Sequence, residues 1–384
     1  MKTRRLKNIA RALAVSAALT LTPALASAQA SAISSEVAGK VDSAVSAARG
    51  GDLNGAAATL AGLVDEPNGG YLAAYNLGVV RERQGKAAEA EQAYTKAIQT
   101  KPEFGPALRN LVRMHLSAGN VAKATNALNL VNAKIRADTL DHRVTELDIK
   151  LAKGQYEDVG VTARQILRID EKHAGALLAL SRAEYQAGRY ELSGAVLKAV
   201  EKFHPELAET YYRKGLIALK FDKRGEAEKH FKAAIAKQGA YPEARNNLGL
   251  LFHQAKDHTG AIAQFEAAIA ARPNYAEAYL NLGNAYKGEK RPQEAEVAFR
   301  KALSIDPNYA DAHFNLGVLY LDSEVPGMET IPRLQKSIDE LKEYKRMVKR
   351  PPKNDPVDKY VAEAKKAIET EKQRQELMRE APIE

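Results

Sequence analysis

The dipeptide Leu-Gly recurs on one 34-residue register at Leu77-Gly78, Leu248-Gly249, Leu282-Gly283 and Leu316-Gly317, with Asn247, Asn281 and Asn315 standing before the last three. A chain that repeats itself at this period is a stack of one supersecondary unit, each burying its apolar face against its neighbours. Such a stack has no single globular core in which to enclose an active site, so the period tilts the function toward binding. In the unit that begins at Tyr71, each choice has a mechanical reason. Gly78 at position 8 and Ala90 at position 20 let two antiparallel helices approach closely. Gly85 at position 15 suits the turn between them, and Pro102 at position 32 stops the second helix.

Leu77, Gly78, Gly85, Ala90, Tyr94, Ala97 and Pro102 together resemble the tetratricopeptide repeat signature. The same register restarts at Val37, Gly105, Ala174, Ala208, Pro242, Ala276 and Ala310. A divergent unit near Leu140, with Gly154 and Tyr156, absorbs one extra residue between Gly105 and Ala174. The resemblance covers residues 37–344 and implies an all-α solenoid of about nine helical hairpins, wound as a right-handed superhelix. Position 4, usually bulky, is Ala74 in one unit and Arg245 in another, so looser packing is expected there.

The ninth unit is interrupted at residues 322–330, where Pro326-Gly327 signals a loop. Helical spacing then resumes through Leu334, Ile338, Leu341, Tyr344 and Val348, so a displaced second helix is expected. Residues 345–356 read as a linker. Residues 357–384 read as a final helix with Tyr360, Val361, Ala364, Ala367 and Ile368 along one side, expected to cap the last apolar face. Beyond Thr370 the sequence is too polar to bury much.

Residues 1–28 read as a secretory signal peptide. Lys2, Arg4, Arg5, Lys7 and Arg11 form a positive head, Ala12 to Leu21 a short apolar stretch, and Ala26-Ser27-Ala28 a cleavage site. Residues 29–36 read as a flexible lead-in. Without the peptide the chain carries 52 Lys and Arg against 48 Asp and Glu, so its net charge falls from +9 to +4. That gives little reason to invoke nucleic acid. The absence of Cys removes disulfides, thiolate chemistry and lipid attachment through a thiol. The expectation is an exported, periplasmic protein with no spanning segment, meeting a membrane through a protein partner or by peripheral contact.

No catalytic constellation survives inspection. There is no glycine-rich phosphate loop, nucleophile elbow or HExxH. His253 and His258 are five residues apart, a poor spacing for ligation from one helix face, and His313 fills the bulky position 4. The expectation is a protein without catalysis, cofactor or metal.

The family resemblance implies that the first helix of each hairpin lines a concave groove, with positions 2, 5, 6, 9, 12 and 13 facing it. Position 6 is Asn in five units: Asn76, Asn110, Asn247, Asn281 and Asn315. An amide both donates and accepts, so it suits the backbone of an extended peptide, and it equally suits local hydrogen bonds within the repeat. Tyr75, Leu280 and Phe314 give position 5 an apolar character. Arg109 and Arg113, with Asn110, form one basic spot, and Tyr212, Arg213 and Lys220 another, each suited to acidic side chains or a C-terminal carboxylate.

The stretch from Phe314 to Lys372, with FNLGVLYLDSEVPGMETIPRL, resembles the ending of tetratricopeptide proteins attached to the adventurous gliding machinery. Those relatives carry a lipidated Cys, which this chain lacks. The leading expectation is a scaffold that binds partners in a bacterial envelope complex. An adaptor for outer-membrane, pilus or polysaccharide-export components stays open beside it, as does a non-catalytic regulator of a cell-wall enzyme.

Overall fold

The computed structural model describes residues 33–134, 139–348, 352 and 354–380. Residues 1–28, expected to be a signal peptide, and the first part of the expected lead-in lie outside the described residues. Nineteen α-helices follow one another, with no strand among the described residues. The chain divides into two compact units, residues 1–205 and 206–384.

The first unit holds five hairpins. They pair α1 (Ser35–Arg49) with α2 (Leu53–Ala61), α3 (Gly70–Arg83) with α4 (Ala87–Thr100), and α5 (Gly105–Ser117) with α6 (Val121–Asn132). Next come α7 (Leu140–Lys153) with α8 (Tyr156–Ile169), and α9 (Ala174–Gln186) with α10 (Tyr190–Phe203). The lead-in therefore ends earlier than expected. Ser34 caps α1 by accepting from the Val37 amide at 3.3 Å, so residues 35–36 are already helical.

The second unit holds α11 (Ala208–Lys220) with α12 (Arg224–Lys237), α13 (Pro242–Gln254) with α14 (His258–Ala271), and α15 (Ala276–Gly288) with α16 (Pro292–Ile305). The last pair is α17 (Ala310–Asp322) with α18 (Thr330–Met347), followed by α19 (Val357–Glu380). Residues 345–347, expected as linker, complete the last turn of α18.

One contact repeats within the hairpins. In four of them the first helix has Gly at position 8, namely Gly78, Gly215, Gly249 and Gly283, and the ring at position 24 of the second helix packs closely against it. A Cβ on Gly78 would meet Tyr94 at 2.5 Å, on Gly249 would meet Phe265 at 2.6 Å, and on Gly283 would meet Phe299 at 2.5 Å. Phe231, Phe265 and Phe299 are fully buried, as are Ala227, Ala261 and Ala295 at position 20. The ninth hairpin keeps the lock with different residues. The interruption, expected at 322–330, is a loop over residues 323–329, and it slides α18 along by two turns, so Leu341 takes the place that the register gives to residue 333. A Cβ on Gly317 would meet Leu341 Cγ at 2.8 Å, and Ser337, standing where Ala is usual, donates to the Gly317 carbonyl at 2.7 Å.

The connecting turns need a left-handed residue at position 15. Gly85, Gly119, Gly154 and Gly188 supply it in the first unit, whereas Asp222, Lys256 and Lys290 adopt it in the second at φ of 52°, 63° and 57°. The fold thus tolerates side chains where the register favours glycine. Ala74 is fully buried, within the same core cluster as Tyr71 and Tyr75.

Helix α19 caps the stack as expected. Val361, Ala364, Ala367 and Ile368 pack on Leu334 and Ile338 of α18, and Tyr360 joins Leu341 and Tyr344. No helix among the described residues is long and apolar enough to cross a membrane.

Candidate protein-binding faces

The first helices of consecutive hairpins lie side by side in each unit, so residues at positions 2, 5, 6, 9 and 12 meet across repeats. In the first unit this face is a staircase of opposite charges. Glu82 of α3 accepts from Arg113 of α5 at 2.6 and 2.8 Å. Arg109 of α5 pairs with Asp141 of α7 at 3.1 Å. The basic spot expected at Arg109 and Arg113 is therefore answered by acids one repeat away on either side.

Asp148 on α7 is the next step of that staircase. Loss of solvent around it outweighs the pull of Arg182 and Arg109 and pushes its carboxyl from 3.8 up to about 7. The folded state therefore binds this proton more tightly than the unfolded chain. Its stabilising effect is complete below about pH 4 and is lost as pH rises through about 7. Asp148→Asn is expected to raise the melting temperature at pH 8 and to lose that advantage at pH 4. An equal shift at both pH values would rule out the carboxylate as the cause.

The asparagines expected to form a binding ladder are placed differently from one another. Asn76 is wholly buried and donates to the Leu72 carbonyl at 3.1 Å. Asn110 is buried against the hydroxyls of Tyr94 and Tyr75, at 3.4 and 3.5 Å. Tyr75, expected to face the groove, is covered by Phe104, whose ring stands edge-on at 5.3 Å. These three are packing residues, each buried within the first unit.

In the second unit the amides pair across repeats. Asn281 donates to Asn246 at 2.9 Å, and Asn246 donates to Glu277 at 3.2 Å. Asn315 donates to Asn284 at 2.9 Å, while Asn247 turns back to the Glu243 carbonyl at 2.8 Å. Asn246 and Asn284 were missed by reading position 6 alone. The sequence does hold a signal, the adjacent pair Asn246-Asn247 and the spacing Asn281-Leu-Gly-Asn284. Asn281 is buried, so Asn281→Ala leaves the Asn246 carbonyl oxygen without its donor. It should cost about 1–3 kcal/mol, read in denaturant unfolding; a loss under a few tenths would show that the pair adds nothing.

Leu280 is also buried, in the cluster with Phe299, Leu316 and Tyr320, and does not line an open groove. Phe314 meets Tyr344 at 5.0 Å and Tyr360 of the capping helix at 6.1 Å, both rings tilted to it, so the cap claims part of its surface. Tyr212 packs on Tyr241 and Phe231, at 5.2 and 5.9 Å, and Arg213 is held by Glu209 one turn earlier. Lys220 is exposed at the end of α11. Half-exposed residues on this face include Asn247, Leu250, Asn284, Asn315 and Val318, the last packing beside Phe314 against the cap.

His253 and His258 were dismissed on the assumption that one helix carries both. His253 ends α13 and His258 opens α14, and the turn between them brings their Nδ1 atoms to 3.0 Å. His313 does pack at position 4, with Glu340 at 2.6 Å from its Nδ1. Among the described residues, no group of three or more His, Asp or Glu side chains converges as a metal site would.

Tetratricopeptide repeat profiles match residues 41–103 and 212–276, 82–141, 276–309 and 298–342, together more than half of the chain. The chain belongs to the tetratricopeptide repeat superfamily. A 202-residue stretch is 27% identical to the Homo sapiens protein O-mannosyl-transferase TMTC3, covering 50% of this chain and 21% of that protein. The chain thus spans about a fifth of the curated relative it matches. Among solved structures, the APC/C hetero-tetramer Cut9–Hcn1 is similar with a TM-score of 0.58 at 15% identity, over 86% of this chain and 63% of that one. The crystal structure of MamA is 28% identical over 43% of this chain and 96% of its own, with a TM-score of 0.37. Tetratricopeptide repeats are protein-interaction scaffolds, and that is the coarse function of this chain.

Proposed function

We propose that this tetratricopeptide protein is an exported, periplasmic scaffold that holds partner proteins of a bacterial envelope complex and carries out no chemistry itself. One observation carries the binding half of that reading: the strip Asn247, Leu250, Asn284, Asn315 and Val318 on the first-helix face of the second unit. Its amides each spend one hydrogen bond within the protein, and an amide has two donors and two acceptor lone pairs to offer. Half-exposed Leu250 and Val318 lie beside them, so an extended segment gains backbone hydrogen bonds and apolar contact together. Residues 1–28 support export, and the resemblance of the ending at Phe314–Lys372 makes the gliding machinery the complex to test first.

A photoreactive residue placed at Leu250 or Asn284 in living cells tests the site. Crosslinks to a defined envelope protein from these positions, and none from exposed Val297 on the second-helix side, are expected. Equal labelling from all three positions would sink the proposed face. Fractionation of cells producing the chain with and without residues 1–28 tests export separately; cytosolic recovery of both forms would overturn it.

A further inference from the structure

The helix-to-helix turn of the seventh hairpin is built more tightly than packing requires. His253 stands at position 12 and His258 at position 17 of their repeat. In the fifth hairpin the same two positions are Tyr185 and Tyr190, whose rings meet edge to face at 5.2 Å. In the seventh hairpin the two imidazoles instead aim the same nitrogen at each other, Nδ1 to Nδ1 at 3.0 Å, with ring centroids 4.8 Å apart.

The backbone holds both rings in place. The Asp257 amide donates to the Phe252 carbonyl at 2.9 Å and the Lys256 amide to the His253 carbonyl at 3.0 Å. Asp257 then caps α14 through the Gly260 amide at 2.9 Å. The next repeat supplies a seat, because the His258 ring lies against Gly288, where a Cβ would come within 2.6 Å of it. The loop around the pair, residues 254–257, is exposed, so a solute reaches it.

We propose that His253 and His258 form a two-imidazole chelating site for a borderline-soft divalent cation such as Zn2+, Ni2+ or Cu2+. Two nitrogens bound to one such ion at about 2.0–2.1 Å lie roughly 2.9–3.4 Å apart for angles between square and tetrahedral. The observed separation falls in that interval without moving either helix. In the neutral pair one Nδ1 holds a proton and the other accepts it. Ion binding needs both rings as the Nε2–H tautomer, so one proton moves from Nδ1 to Nε2 of the same ring and none is lost overall. With two protein ligands, the other coordination positions fall to water or to a donor on a bound partner. Imidazole ligation favours Cu2+ over Ni2+ and Zn2+, and gives Mg2+ nothing.

Calorimetric titration of the full chain with ZnCl2, NiCl2 and CuCl2 is expected to show one ion per chain, with MgCl2 silent. His253→Asn and His258→Asn each remove that binding, while thermal unfolding of the ion-free variants stays close to the parent. Gly288→Ala, which brings a Cβ to 2.6 Å from His258 Cε1 and 2.7 Å from its Nδ1, displaces the ring and weakens binding by about tenfold or more. Long-range 15N spectra of the imidazoles should shift Nδ1, not Nε2, of these two histidines on Zn2+ addition. Unchanged titrations in both histidine variants, or a shift confined to Nε2, would overturn the assignment. None of these readouts depends on the binding face proposed above.

Discussion

Gly283→Leu is expected to destabilise the eighth hairpin and its neighbours by at least about 1–3 kcal/mol, the usual cost of overpacking a close-packed interior. The reason is local. The Phe299 ring covers Gly283 so closely that even a Cβ would sit 2.5 Å from Cε1, and Phe299 is itself fully buried with Ala295 and Ala302 around it. The ring has no empty space to retreat into, so α15 and α16 must separate. Helix propensity works the other way, since replacing glycine inside a helix gains up to about 1 kcal/mol. The sign therefore depends on what surrounds the new side chain. Gly194 within α10 has nothing within 4 Å of where a Cβ would stand, and Gly194→Ala should stabilise by about 0.5–1 kcal/mol. Hydrogen exchange resolves the two, because stability in a repeat array is local. Gly283→Leu should speed exchange first in residues 276–305 and leave 35–132 at the parent rate. Parent-like exchange in α15 and α16 would mean that position 8 is not the close contact it is taken to be.

That contact was legible in the sequence, because it joins residues 16 apart within one hairpin and recurs with the period. Gly78 with Tyr94, Gly249 with Phe265 and Gly283 with Phe299 all announce it. The hairpin count and the capping helix were readable for the same reason, since both depend on apolar spacing along single helices. What the sequence could not show was which side chains meet across repeats. Glu82 and Arg113 are 31 residues apart, and Asn246 and Asn281 are 35 apart. A shift of one position within a helix turns a side chain by about 100°, and the period alone does not fix which neighbour it finds. The register places Asn76, Tyr75 and Leu280 on the groove side, yet all three are buried in the fold. His253 and His258 failed in the opposite direction, because spacing along one helix says nothing about residues on either side of a turn.

Arg113 shows how much the distinction matters, and Arg113→Met is expected to cost about 3 kcal/mol of stability. Read as part of a basic spot, Arg113 would be a ligand-binding residue whose loss weakens capture and leaves folding alone. The structure places it 18% exposed against a Glu82 that is 12% exposed, with one guanidinium nitrogen reaching both carboxylate oxygens. Glu82 also accepts from the Tyr94 hydroxyl at 2.7 Å. Burial, with Glu82 beside it, pushes that phenol far above its ordinary value, so it stays a proton donor. Removing the arginine leaves the carboxylate largely out of water with a single neutral donor, and breaking a buried pair this way costs about 3–5 kcal/mol. The low end applies because both partners keep some solvent. Glu82→Gln alone removes the charge but keeps the shape, and in the double variant Glu82→Gln/Arg113→Met the uncompensated carboxylate is gone. A double-mutant cycle in denaturant should therefore return a coupling of about 1–3 kcal/mol, with the double variant more stable than Arg113→Met. If Arg113→Met unfolds like the parent while partner crosslinking from the first unit falls, Arg113 belongs to a binding site after all and the charge staircase is incidental to the fold.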